Sequence, residues 1–398
     1  MTTSDKRTRL PDLGEVEIGP RRAIRSVRLD DRFNLIGAAG AAIAIATLLF
    51  GWIAPLTGVV GWIAVALIAF LGVYAVLVGS SADRVEVIDR VMTVLFATAG
   101  VVLFSALVFV IAFTVLRGQD ALPHLNFFFD TMELAGPLDP LTMGGIGHAI
   151  VGTLIQIGIA LLVTIPLGIM TALFLNEIGG RFARFVRTIT DAMTALPSIV
   201  AGLFVYSAII VLITHQRSGF AAAMAITVMM LPIVIRASDV VLRLVPGNLR
   251  EAAYALGSSR WRTVWTVVLP TARSGLVTAV ILGTARGIGE TSPVLLTSGI
   301  TSNLNVNPFS GPMISLPLQV FDFVKSPEPN MIARGFGTAA VLLLLVITLF
   351  AIARVIGGRG PGLQTPRQQR ATRDASIRDI QRITIANDRR LRTPKDNQ

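Results

Sequence analysis

Long apolar runs alternate along this chain with short polar pieces rich in arginine. A bilayer core of ~30 Å is crossed by about 20 apolar residues of helix. Eight runs reach that length, at 34–54, 57–79, 91–116, 149–175, 192–214, 219–235, 274–296 and 335–353. Only Pro55-Leu56 separates the first two, which predicts a hairpin, and His215 to Ser218 make a second tight link between the fifth and sixth. Span 57–79 carries no charge, whereas span 274–296 carries Arg286 and Glu290. The pattern predicts an all-α fold, a polytopic transmembrane helical bundle.

Composition agrees. The 398 residues are 53% hydrophobic and 15% charged, with a mean hydropathy of +0.69, outside the range of ordinary soluble domains. The net charge of +11 does not signal nucleic acid, because the basic residues sit in the pieces between apolar runs. With the N-terminus inside, the inner segments 1–33, 80–90, 176–190, 236–273 and 354–398 hold 8, 2, 3, 6 and 11 Lys and Arg. The outer side holds Arg117, Arg217, Lys325 and Arg334. This asymmetry puts both termini and the 236–273 loop on the cytoplasmic side of a plasma membrane. The 33-residue leader and the length of the first run argue against a cleavable signal peptide. The tail 358–398 reads as a solvated basic segment; a weak stripe of Ile377, Ile380, Thr384 and Leu391 leaves open a surface helix on anionic lipid or a soluble partner.

The chain has no cysteine, so it has no disulfide framework or thiolate metal site. Its lysines are Lys6, Lys325 and Lys395, none after a glycine, so it has no phosphate-binding P-loop. His124 and His148 lack ligand-spaced partners and read as polar residues near the outer surface rather than metal ligands.

The 236–273 loop has internal order. Pro246-Gly247 breaks the preceding helix. Asn248 is placed to cap a new one with Glu251 at its third position. Leu249, Ala252, Ala253 and Leu256 fall on one face, and Gly257 suits a left-handed helix end. Ser258 or Ser259 caps a second helix, in which Trp261, Val264, Trp265 and Val268 repeat the spacing until Leu269-Pro270 ends it. Two such faces suit either headgroup contact or a docking protein.

In span 274–296, Arg286 and Glu290 lie four residues apart and share a helix face. Arg286 stands ~20 Å along the axis from Arg273, too deep for easy snorkelling. Intramembrane charges usually face a bundle interior or a watery path. The pair is therefore a structural pin or an anion site, guanidinium donors matching phosphate oxygens and the carboxylate keeping the site shallow. Gly283 and Gly287 form a small-xxx-small pair, and Gly287 and Gly289 leave little bulk beside Arg286.

The loop spacing Glu251-Ala252-Ala253, then Gly257, Val267, Leu269 and Pro270, resembles the EAA loop of ABC importer permeases. Arg286 to Thr297 resembles the arginine–glycine–glutamate–threonine segment of phosphate importer permeases. Three further stretches resemble the same family: Gly144 to Leu154, Leu196 to Leu203, and Ser315 to Phe321. The resemblance covers roughly residues 90–357. It implies a MetI-like permease core of six helices over 88–357, preceded here by a basic segment (1–33) and an extra hairpin (34–79). It further implies import of inorganic phosphate past Arg286, Glu290, Gly287, Gly289 and Thr291. The implied coupling segment, 248–270, carries Glu251, Ala252, Ala253, Gly257, Trp261, Trp265, Leu269 and Pro270. The chain would bind no cofactor and catalyse nothing. ATP would be used by two copies of an ATPase subunit, alongside a homologous permease in a heterodimer and an external phosphate-binding protein. The proline-bearing outer loop 297–331 is either an ordinary loop or, by resemblance, a re-entrant gate facing that binding protein. Import of sulfate or molybdate is the nearest alternative. A self-sufficient transporter or channel would show inverted repeats and need no docking loop, and a scaffold would leave the charged pair without a role.

Overall fold

A computed structural model describes residues 29–53, 58–80, 83–357, 370–379 and 382. The elements in order are α1 (Leu29–Leu48), α2 (Val59–Gly79), α3 (Arg84–Gly118), α4 (Leu125–Phe129), α5 (Gly147–Leu173), α6 (Gly180–Thr194), α7 (Ser198–Val205) and α8 (Gly219–Arg243). Then come α9 (Gly247–Ala255), α10 (Arg260–Thr263), α11 (Leu269–Ile288), α12 (Ser292–Thr297), α13 (Leu316–Val324) and α14 (Pro329–Gly357). Among the described residues there is no strand, and seven helices are long and apolar enough to cross a membrane. Residues 370–379 of the tail form a helix, so that part is not irregular; most of the rest of the tail, the 1–28 leader and Pro55-Leu56 lie outside the described residues.

The chain divides into two compact units, residues 1–109 and 110–398. In the first, α1 and α2 pack as the expected hairpin. Ala38, Tyr74 and Val78 are its buried centre, with Phe70, Val73, Leu77 and the α3 residues Val87, Val91 and Val94 around them. Ala42 and Ala46 extend the small-residue stripe of α1 at four-residue intervals, which suits close helix contact.

The second unit is a bundle of α5, α8, α11 and α14 around one main core that includes Ile157, Ala160, Ile226, Met230, Ile288 and Val341. Two expected spans are redrawn. Span 192–214 is not one rod: α6 and the helix Ser198–Thr214 meet at 108°. Pro197 drives Leu196 out of the helical region and forces the break. The expected inner piece 176–190 is largely α6, with Arg181, Arg184 and Arg187 on it. Span 274–296 ends at Ile288, and the chain restarts at Ser292 with Pro293 in the first turn of α12. At its other end this helix reaches back to Arg260 without interruption. Leu269-Pro270 therefore does not end the second loop helix. A π turn, Val264–Val268, precedes Pro270 and absorbs its missing donor and ring.

The 297–331 segment is not an ordinary external loop. Met313, Ile314, Leu316, Leu318 and Phe323 are at most 2% exposed. The non-helical stretch 313–316 lies across α5: Gln156 Nε2 donates to Met313 O at 2.7 Å, and Thr153 Oγ1 accepts from Leu316 N at 2.7 Å. A Cβ on Gly152 would overlap Ile314 O, so only glycine admits this crossing. Asp322, outside the long helices, has its carboxyl raised by burial, partly opposed by Lys325.

Arg334, expected in an exterior loop, is 1% exposed inside α14. Its Nη2 donates to Pro140 O and Met143 O at 2.8 Å each and to Asp139 O at 3.3 Å, and Nη1 reaches Gly136 O at 3.4 Å. One guanidinium thus folds the 136–143 loop against the bundle. Arg334→Met should lower stability by roughly 3 kcal/mol or more, since it strips charged donors from several buried carbonyls. Thermal unfolding in detergent should show a clear drop for Arg334→Met and almost none for Arg181→Met, an exposed cation.

Candidate functional site

The helix that carries the charged pair is seated by glycines. On α11, a Cβ at Gly283 would strike Val234 and one at Gly287 would strike Met230, both on α8. Gly287 is thus buried against α8, while Gly289 is exposed with open space around it. Arg286, one step round the helix, points away from this seam. Its Nε lies 2.9 Å from Glu290 Oε1. The two side chains are unequal: that of Arg286 is 56% exposed and that of Glu290 9%. Glu290 follows the end of α11, with its N–H donating to Gly287 O at 3.3 Å. Thr291 lines a cavity of about 420 Å³ together with Thr114, Phe321 and Lys325.

The fold brings the family-like stretches together in pairs. Gly144 to Leu154 meets Ser315 to Phe321 along the α5 crossing described above. Leu196 to Leu203 meets the segment after Arg286, because a Cβ on Gly202 would stand 2.6 Å from Pro293 Cα.

At the far end of the same helix sits the loop α9–α10. Gly257 has φ +79°, the left-handed turn expected of it, and its surroundings are open. Ser259 Oγ accepts from Arg262 N at 3.4 Å, capping α10. Asn248 is not the cap of α9. The helix starts at Gly247 with Pro246 before it, and no side chain caps it. The two apolar faces also divide. Ala253 is buried, but Leu249 is 40% and Leu256 89% exposed. Val264 and Val268 turn inward, continuing through Ala272 and Leu276 at four-residue steps, while Trp261 and Trp265 point outward at 66% and 57%. Trp261 and Trp265 make an edge contact at 5.7 Å between ring centres. Glu251 and Ala252 are exposed, Leu269 is half-buried and Pro270 exposed. The loop thus offers an apolar, aromatic surface that nothing within the described chain covers.

Three groups carry more than the sequence reading gave them. His148 is 2% exposed and sits beside Gln319, so it is not a surface residue. Arg334 is the loop clamp. Asp239 of α8 accepts from Asn176 Nδ2 at 2.9 Å and Arg243 Nη2 at 2.8 Å, with Arg187 of α6 at 3.4 Å. The Asp239–Arg243 spacing of four was a visible signal for this last hub; the other two carry no local pattern.

Residues 164–359 match the family model described as binding-protein-dependent transport system inner membrane component. The chain is 40% identical over 274 residues to the phosphate transport system permease protein PstA 1 of Mycobacterium tuberculosis (strain CDC 1551 / Oshkosh), covering 69% of this chain and 90% of that one. It is 38% identical to the PstA of Mycobacterium leprae (strain TN), covering 71% and 93%, and 35% identical to that of Yersinia pestis, covering 69% and 89%. Among solved structures, an inward-facing form of the MetNI methionine ABC transporter is similar at TM-score 0.40 and 18% identity, covering 54% of this chain and 91% of that one. With identity of 35 to 40% running through most of each relative's length, this all-helical, multi-pass chain belongs to the PstA family of phosphate transport system permeases.

Proposed function

We propose that the chain is the permease through which inorganic phosphate enters the cell, driven by a separate ATPase that docks on α9 and α10. Family membership supports the substrate. The observation that carries the mechanism is the placing of Arg286: a side chain more than half exposed, on a helix continuous with the docking surface from Arg260 to Ile288. That helix is about 43 Å long at 1.5 Å per residue. In lipid an exposed guanidinium costs at least ~2.5–3.5 kcal/mol, so its face is completed by a polar path and a second, homologous permease.

The cycle follows from these parts. ATP closes the ATPase pair, which presses on Leu256, Trp261 and Trp265. The push passes along Arg260–Ile288 and slides α11 against α8 on the glycine seam. Phosphate sheds part of its water and takes hydrogen bonds from the outward end of Arg286. Glu290, buried alongside, reclaims the guanidinium as the anion leaves. The 297–331 segment, whose stretch 313–319 is seated in the bundle, presents its exposed part to an external phosphate-binding protein. Both termini lie in the cytoplasm of a plasma-membrane protein, as the distribution of arginine supports.

Arg286→Gln should cut radiolabelled phosphate uptake at least tenfold while the ATPase still co-purifies; near-normal uptake removes Arg286 from the path. Sulfate and molybdate should compete poorly in the same assay, and effective competition would turn the assignment toward a broader oxyanion importer. Gly257→Val forces a β-branched residue to φ +79°, a strain of about 1–3 kcal/mol. It should leave ATP hydrolysis in the complex but lower phosphate moved per ATP several-fold; unchanged coupling would count against the loop as transmitter.

A further inference from the structure

The docking helix α9 is held to the bundle by one side chain that faces inward. Only Ala253 of α9 is buried, and Leu249 and Leu256 face outward. Arg250, by contrast, turns its guanidinium back under the helix. Its Nη2 lies 3.0 Å from Glu177 Oε1 and donates to Leu242 O at 3.1 Å. The two side chains are 21% and 17% exposed, well shielded compared with the Arg236–Asp191 pair at 58% and 46%. Glu177 belongs to the π turn Phe174–Ile178 that ends α5. Leu242 lies in the last turn of α8, whose carbonyls carry the negative end of that helix dipole. Arg250 therefore ties α9 to α5 and α8 at once.

The residue beside Glu177 continues the link. Asn176 Nδ2 donates to Asp239 Oδ1 at 2.9 Å and to Asp239 O at 3.1 Å. Asp239 also holds Arg187 of α6. Two sets of polar contacts, joined by the backbone between Asn176 and Glu177, thus link α9 through the end of α5 to α8 and α6. A second route, wholly covalent, leads from α10 into α11. The chain itself also joins α9 to α8 through residues 244–246, so α5 is the helix that would stay behind if motion passed only along the backbone.

Accepting that α9 is the ATPase's docking helix, we propose that Glu177 and Arg250 are a positioning pair for coupling. They form the joint that makes α5 follow α9 together with the directly connected α8, so that pressure on the loop turns the bundle instead of only sliding one helix. An ion pair suits a joint, since a carboxylate can pivot about a guanidinium while staying bonded, which interlocked apolar side chains cannot do.

The experiment uses the full complex in proteoliposomes, with ATP hydrolysis and phosphate uptake measured on one preparation. Glu177→Gln should assemble and hydrolyse ATP, with phosphate moved per ATP falling at least tenfold. Glu177→Asp should fall less. Arg250→Glu alone should fail, and Arg250→Glu combined with Glu177→Arg should recover a substantial part of the coupling ratio, which a merely local packing role would not produce. Normal coupling in Glu177→Gln, or a double reversal no better than its singles in assembled complex, would overturn the joint. Leu256→Asp separates the two readings. If that variant keeps the ATPase bound, the docking assignment itself fails; if it releases the ATPase while Glu177→Gln couples normally, only the joint fails.

Discussion

Lipid offers no hydrogen-bond partners, so every polar group in the membrane part of this chain must find one inside the protein or in a watery path. Much of the second unit follows from that constraint. The non-helical stretch 313–316 is admitted because Thr153 and Gln156 of α5 satisfy its backbone. The 136–143 loop is admitted because Arg334 spends its donors on that loop's carbonyls. Asp239 is admitted among Asn176, Arg243 and Arg187. Arg286 differs from these: its partner Glu290 is buried, but its own side chain stays more than half exposed. On the proposed transport reading, a second subunit or an anion would complete the surroundings of this side chain.

Mechanics follow from helix continuity and from glycine. A helix running from Arg260 to Ile288 spans most of the bilayer's thickness, so on the proposed cycle a push at Trp261 would be felt at Arg286. The same helix meets α8 through Gly283 and Gly287, against whose bare backbone the α8 side chains Val234 and Met230 pack. Such a seam resists separation, because the small residues of α11 let α8 approach closely. The π turn at Val264–Val268, which carries Trp265, precedes the seam and locally changes the helical pitch.

The long apolar runs were legible because length and hydropathy are local properties. So was the left-handed turn at Gly257, which one residue type dictates. Helix ends near prolines were harder. Pro197 breaks a run that hydropathy alone reads as continuous, whereas Pro270, which looks like a stop, is carried through by a π turn that no residue pattern announces. Asn248 has the chemistry of a cap, but the helix begins one residue before it. Burial of His148 and Arg334 was invisible because their partners, Gln319 and the 136–143 carbonyls, lie about 170 to 200 positions away in the sequence. The charged pair was legible as a pair, four residues apart in an apolar helix. Its inequality was not, because exposure depends on where α11 lies against α8.

If phosphate passes Arg286 as proposed, that inequality has a consequence for transport. Were both members of the pair exposed, water would screen them and the guanidinium would have little reason to return after each anion. Were both buried, an entering phosphate would have to break a strong interaction in a medium of low dielectric. With Glu290 fixed and shielded and Arg286 half in the open, the arginine is held loosely enough to turn outward and the carboxylate is placed firmly enough to draw it back. Binding and release then differ by one side-chain movement, and the larger motion of the bundle has only to decide which side of the membrane that movement faces.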